Sequence, residues 1–245
     1  MITGFDKFQK AFKDFEDCYT IIGGTACDIL MSNADLDFRA TKDIDMILIL
    51  ENKYVEFAAA FWNFIKEGKY KCGWKNNPNT HFYRFTNPQP GYPIQIELFS
   101  KNNESFKIDS GIIPVHISED VSSLSAILLN NDFYNFMING RTTIDGVSIL
   151  MAEYIIPFKM YAWLNLKEQK ASGEHVNDKD LRKHKNDVFR LLQIARTDNV
   201  ITVTGEVKAA ISLFLTRIEN EEVDLKQLPF SKAEALEIIK SLYGM

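Results

Sequence analysis

The chain has 245 residues, 46% of them hydrophobic and 25% charged, with a formal net charge of -5. That composition excludes a disordered or fibrous chain and allows a sizeable core, while the negative balance excludes a global basic field, so a nucleic-acid partner would need a local patch. Cys18, Cys27 and Cys72 lack the paired spacing of a zinc site or disulfide framework. The polar start after Met1 carries no apolar leader core and no stretch reaches the ~18 apolar residues of a spanning helix, so the expectation is a soluble, cytoplasmic protein with no membrane partner.

Phe5, Phe8, Phe12 and Phe15 recur at steps of three and four, which predicts an amphipathic helix whose aromatic stripe is core. Tyr19 to Ile22 reads as a short apolar strand ended by Gly23 and Gly24, and Thr25 to Met31 as a helix. After a polar loop comes the strand 43–50, then a helix over Tyr54 to Lys66 with Val55, Ala58, Ala59, Trp62 and Ile65 at helical spacing. From 68 to 92, Gly, Asn and Pro punctuate one aromatic strand, His81 to Phe85, and a further strand follows over Pro93 to Phe99.

Between 106 and 150 the pattern predicts a short helix at Ser122 to Leu129 and strands around Phe133 to Ile138 and Thr142 to Leu150. Beyond Met151 it predicts helices over Met151 to Lys170, Asp178 to Arg196, Glu206 to Glu219 and Lys232 to Leu242. The expected division is therefore a mixed sheet in 1–150 and a helical region in 151–245.

Because strand side chains alternate, Asp43 and Asp45 share one face while Ile44 and Met46 take the other. Two like charges in one small volume cost free energy unless a cation or proton offsets it, and hard oxygens suit Mg²⁺ or Mn²⁺. The alternative is an ordinary cap and an exposed strand edge. The apolar continuation Met46 to Leu50 argues instead for a buried strand that presents the pair at one end. Gly23-Gly24-Thr25, between strand and helix, has the backbone freedom and helix N-terminus that suit phosphate oxygens, or is a plain tight turn. Glu97 stands on the opposite face from Ile94, Ile96 and Leu98, and a carboxylate in an apolar strand needs a partner. If its strand lies beside the Asp strand, three carboxylates cluster.

Gly23-Gly24-Thr25-Ala26, then Arg39-Ala40-Thr41-Lys42-Asp43-Ile44-Asp45, then Glu97, together resemble the nucleotidyltransferase superfamily that shares the DNA polymerase beta palm, and within it the AbiEii toxin-type branch linked to phage abortive infection. The resemblance covers about the first hundred residues. It implies an α+β fold, a nucleotidyltransferase-like mixed sheet flanked by helices and followed by a C-terminal helical bundle. It also implies metal-dependent transfer of a nucleotidyl group from an NTP to an acceptor, which would be RNA, protein or a small molecule.

By position, the resemblance gives Asp43 and Asp45 to the metal (Mg²⁺ or Mn²⁺), Glu97 to a second metal or to the acceptor's proton, Gly23, Gly24, Thr25, Arg39 and Thr41 to the nucleotide, and Lys159 to the departing pyrophosphate. A surface lysine on an amphipathic helix is the ordinary alternative for Lys159. In this branch an antitoxin protein is the expected partner. The competing reading is a non-catalytic or regulatory nucleotide-binding module acting through a protein partner. Elsewhere, the four histidines are scattered with no HExxH, and the run Lys179 to Asp187 reads as a solvated helix face or as a basic patch for RNA or nucleotide.

Overall fold

In the computed structural model the described residues are 2–49, 53–74, 82–99, 115–116 and 131–245. They fall into two compact units. The first takes the described residues through 116 together with Arg141–Leu150, and the second takes 131–140 and 151–245.

The first unit is organised on one eight-stranded mixed sheet. In chain order its strands are β1 (Tyr19–Ile22), β2 (Asp43–Leu48), β3 (Lys71–Trp74), β4 (Phe82–Thr86), β5 (Gln95–Phe99), β6 (Val115–His116), β7 (Arg141–Ile144) and β8 (Val147–Leu150). Across the sheet they run β6-β3-β4-β5-β2-β1-β8-β7. Central β2 has β1 antiparallel on one side and β5 parallel on the other. The helices of this unit are α1 (Phe5–Phe12), α2 (Gly23–Asn33) and α3 (Tyr54–Glu67). Phe8 and Phe12 of the predicted α1 stripe reach the core, whereas α3 buries Phe57, Phe61 and Phe64 with Ile65 rather than the expected Ala58, Ala59 and Trp62. Phe8 and Phe12 are wholly buried, and the Phe12 ring lies 5.7 Å from that of Phe57 and 5.4 Å from that of Phe64. All four residues of β1 are buried, as expected of an apolar strand covered on both faces.

The second unit contains α4 (Asn131–Asn139), α5 (Ala152–Ala171), α6 (Asp178–Leu191), α7 (Gly205–Ile218) and α8 (Lys232–Leu242). The α+β class therefore holds, with a helical region after the sheet. Four readings change. The single strand expected around Thr142 to Leu150 is the β7–β8 hairpin, turned at Asp145-Gly146, and the two-residue β6 has no counterpart in the sequence reading. The run around Phe133 to Ile138 is helix α4, not a strand, and its buried residues Phe133, Phe136 and Met137 follow the i, i+3, i+4 period that a contiguous apolar run conceals. Strand β3 has no counterpart in the sequence reading, because Lys71-Cys72-Gly73-Trp74 is short and interrupted by glycine. The expected helix at Ser122 to Leu129 lies outside the described residues.

Local chemistry fixes the helix ends in this unit. The Asp132 carboxylate of α4 accepts the backbone N–H of Glu206 at 2.9 Å, capping α7 from outside its own sequence. Ser231 and Glu234 form a reciprocal capping box on α8. Helix α5 is buried around much of its circumference, including Ile155, Ile156, Met160 and Trp163. Within that apolar setting Lys159 is itself 4% exposed, and its Nζ donates to Asp187 Oδ2 at 3.0 Å.

Breaking one side of such a pair strands a buried charge. Lys159→Met is expected to cost about 3 kcal/mol or more of unfolding free energy, and Lys159→Met with Asp187→Leu to recover most of it. Urea denaturation of the two variants decides the matter. Equal losses in both would mean that packing, rather than charge, accounts for the effect.

Candidate active site

The parallel register of β2 and β5 sets Asp43 opposite Gln95 and Asp45 opposite Glu97. Facing residues of neighbouring strands share a sheet face, so the three carboxylates gather on one side. On the other side Ile44, Met46, Ile96 and Leu98 are wholly buried. That apolar layer fixes the register, because a slip of one residue would drive the carboxylates into the core. Asp43 and Asp45 are half-buried, whereas Glu97 is buried.

Glu97 has one partner on the neighbouring strand and one on its own. Arg84 on β4, opposite Glu97 in the antiparallel register, donates through Nε to Glu97 Oε1 at 2.6 Å. Gln95 Nε2 donates to the same oxygen at 2.6 Å. Burial pushes the Glu97 carboxyl above the ordinary range, the Arg84 guanidinium opposes it, the charge of Asp43 adds to the rise, and a side-chain hydrogen bond with Asp45 lowers it.

The glycine turn closes on the same carboxylates. Gly23 has a φ of 68°, and a Cβ built on it would stand 2.1 Å from Asp45 Oδ2, so only glycine lets the backbone come this close. A Cβ on Gly24 would stand 2.7 Å from Thr41 Oγ1 and 3.4 Å from an Arg39 guanidinium nitrogen. The amino end of α2, where Ile22 offers no cap of its own, thus meets Asp45, Thr41 and Arg39 in one place. The positive end of a helix favours anions there.

The structure gathers Gly23, Gly24, Arg39, Thr41, Asp43, Asp45 and Glu97. Thr25 sits differently. It is wholly buried and its hydroxyl donates to the backbone carbonyl of Asp43, so it braces α2 against the start of β2. Lys159 belongs to the second unit, where its buried bond to Asp187 replaces the solvent-facing position that an amphipathic helix suggests. Arg84 and Gln95 are absent from the sequence-derived site. Their only signal is strand alternation, which sets Arg84 between Tyr83 and Phe85 and puts Gln95 two residues before Glu97.

Asp43 and Asp45 offer the hard carboxylate oxygens that a divalent cation takes, and the Gly23 backbone packs directly against Asp45 Oδ2. Those two residues fit Mg²⁺ or Mn²⁺. Glu97 does not complete a three-carboxylate set in this conformation, since Oε1 is held by Arg84 and Gln95. Among the described residues no group of three or more His, Cys, Asp or Glu side chains is arranged to hold a metal ion.

No family model matches the chain, and none of the curated proteins does. Among solved structures it is similar to an antigenic nucleotidyltransferase-like protein from Paracoccidioides brasiliensis, at 15% identity over 96% of this chain and 90% of that one, with a TM-score of 0.47. It is also similar to the antibiotic-resistance factor ANT(2'')-Ia, at 12% identity over 89% and 92% of the two chains with a TM-score of 0.42. A third likeness is to the Megavirus polyadenylate synthase, at 13% identity over 97% of this chain and 47% of that one with a TM-score of 0.32. Likeness of this degree assigns no activity.

Two substitutions probe the geometry. Gly23→Ala should lower the unfolding free energy by at least ~1–2 kcal/mol from its left-handed backbone alone, read by urea denaturation. An unchanged midpoint would mean that the turn does not hold Gly23 against Asp45. Arg84→Ala should destabilise by about 1–3 kcal/mol, less than a fully buried pair because the arginine side chain is 23% exposed. In a double-mutant cycle with Glu97→Gln the two losses should fail to add, and strict additivity would refute the coupling.

Proposed function

We propose that the chain is a metal-dependent nucleotidyltransferase that moves a nucleotidyl group from an NTP to an acceptor, using Asp43 and Asp45 as metal ligands. One observation carries this reading: the β2–β5 register that gathers Asp43, Asp45 and Glu97 on one sheet face, with the Gly23 backbone packed against Asp45.

Each group has a task in this reading. The amino end of α2, with Gly23 and Gly24, receives the triphosphate through backbone N–H groups, while Arg39 and Thr41 stand beside Gly24 to orient it. Asp43 and Asp45 would hold Mg²⁺ or Mn²⁺, which when bound supplies charge neutralisation at the phosphates. An acceptor hydroxyl attacks the α-phosphorus, the new O–P bond forms, the bond to pyrophosphate breaks, and Glu97 takes the hydroxyl proton. Arg84 and Gln95 position Glu97, and Thr25 holds α2 against β2. Lys159, buried against Asp187, is a structural residue of the second unit.

The resemblance to AbiEii-type proteins extends this to a finer proposal, the toxin component of a toxin-antitoxin system with an antitoxin protein as partner. A second reading also has support. A nucleotide-binding module without turnover, acting through a protein partner, is favoured by the two donors that occupy Glu97 Oε1.

Calorimetry tests the site. Wild type should bind Mg·NTP, whereas Asp43→Asn with Asp45→Asn should weaken binding at least tenfold while keeping the wild-type melting temperature. Unchanged affinity in that variant would refute the metal assignment. Incubation with each α-labelled NTP then separates the two readings, since label transferred to RNA, protein or a small molecule supports the transferase, and binding without any transfer supports the module.

A further inference from the structure

The basic run of α6 lines a concavity that the site above does not use. Lys167 and Lys170 on α5, and Arg182 and Lys185 on α6, surround a groove of about 510 Å³, closed by Glu221 and by Asp178 at the start of α6. Four cations thus face two carboxylates in a chain whose formal net charge is -5. Both carboxylates are already engaged. Glu221 takes Lys167 Nζ at 2.5 Å and Lys185 Nζ at 3.3 Å, and Asp178 takes Lys170 Nζ at 2.5 Å.

Glu221 therefore sets the spacing of two ammonium groups at the floor of the groove. Lys185, only 12% exposed, is further anchored by donating to the Glu222 carbonyl at 2.6 Å. Lys167 also stands over the buried Trp163 ring, 5.5 Å from its centroid. Toward the rim Lys170 and Arg182 are exposed. A solvated helix face would spread such charges over a convex surface. Here they converge on a concavity with Trp163, Ala171 and Leu181 in its walls, and low-dielectric walls focus the field of the surplus charge.

We propose that this groove binds a phosphate-bearing ligand of nucleotide size, with Lys170 and Arg182 as its accessible contacts and Lys167 and Lys185 as the fixed floor. The volume lies within the ~300–1,000 Å³ of small-ligand pockets, and Arg182 offers the planar donor fork that matches phosphate oxygens. Because the walls hold no exposed stacking ring, recognition is electrostatic: it selects phosphate charge over base identity.

The ligand has two sources, a soluble nucleotide or the end of an RNA, and the test separates them. Full-length protein in EDTA, carrying Asp43→Asn and Asp45→Asn so that metal-dependent binding at the carboxylate site is removed, is titrated with ADP by calorimetry and with a fluorescent 5′-phosphorylated RNA decamer by anisotropy. Binding of either probe is expected at low salt, weakening as salt rises, with a log–log slope of about -0.7 per phosphate contacted for the RNA. Lys170→Glu with Arg182→Glu should reduce it at least tenfold without changing the melting temperature. Lys185→Ala serves as a second variant, and Lys170→Gln with Arg182→Gln should give an intermediate loss.

ADP binding alone would identify a soluble nucleotide, and binding of the RNA alone an RNA end. No binding of either probe at low salt, or binding indifferent to the charge reversals, would overturn the proposal. The Proposed function would stand, because its test reads Mg·NTP at Asp43 and Asp45.

Discussion

Like-charge crowding is the constraint around which the first unit is arranged. Asp43, Asp45 and Glu97 are drawn to one face by the apolar residues that alternate with them, since burying Ile44, Met46, Ile96 and Leu98 leaves the carboxylates no other side. The hydrophobic core thus sets the electrostatic problem, and the neighbouring elements answer it. Arg84 and Gln95 approach from the sheet, the amino end of α2 approaches from beyond it, and the glycine turn brings that end close enough to matter.

The second unit handles charge in the opposite manner. Lys159 and Asp187 pair inside the apolar packing of α5 and α6, with Arg190 on the other oxygen of Asp187 at 3.9 Å. The cations around Glu221 share one carboxylate and keep some contact with water, Lys167 more than Lys185. Burial separates the two cases: a charge wholly removed from water requires a dedicated counter-charge, whereas one at a groove wall keeps its hydration and remains available to another anion.

Much of the site was legible because strand periodicity reports faces. Asp43 and Asp45 in an apolar run, and Glu97 in another, declare themselves by alternation alone. Their adjacency is another matter, since the β2–β5 pairing joins strands about fifty residues apart and no local pattern encodes it. Arg84 was illegible for the same reason, because its partner depends on how β4 registers against β5. Helix α4 was hidden by a contiguous apolar run that both periods accommodate, and β3 by brevity and a glycine. The basic run of α6 was plain, but its concavity exists only with Lys167 and Lys170 from the preceding helix and Glu221 from beyond the next.

The position of β8 bears on how the chain comes together during synthesis. Strand β1, which holds β2 on one side, pairs on its other side with β8, where Ile21 meets Ile149. Until the β7–β8 hairpin has emerged from the ribosome, β1 presents an open row of backbone donors and acceptors of the kind that recruits foreign strands. The stretch between them includes α4, which belongs to the other unit, so the nascent chain must begin one body before it can finish the other. The hairpin is a late-arriving selvedge that seals the weave, and the interval before it arrives is when the chain is most exposed to misassembly and to chaperone capture.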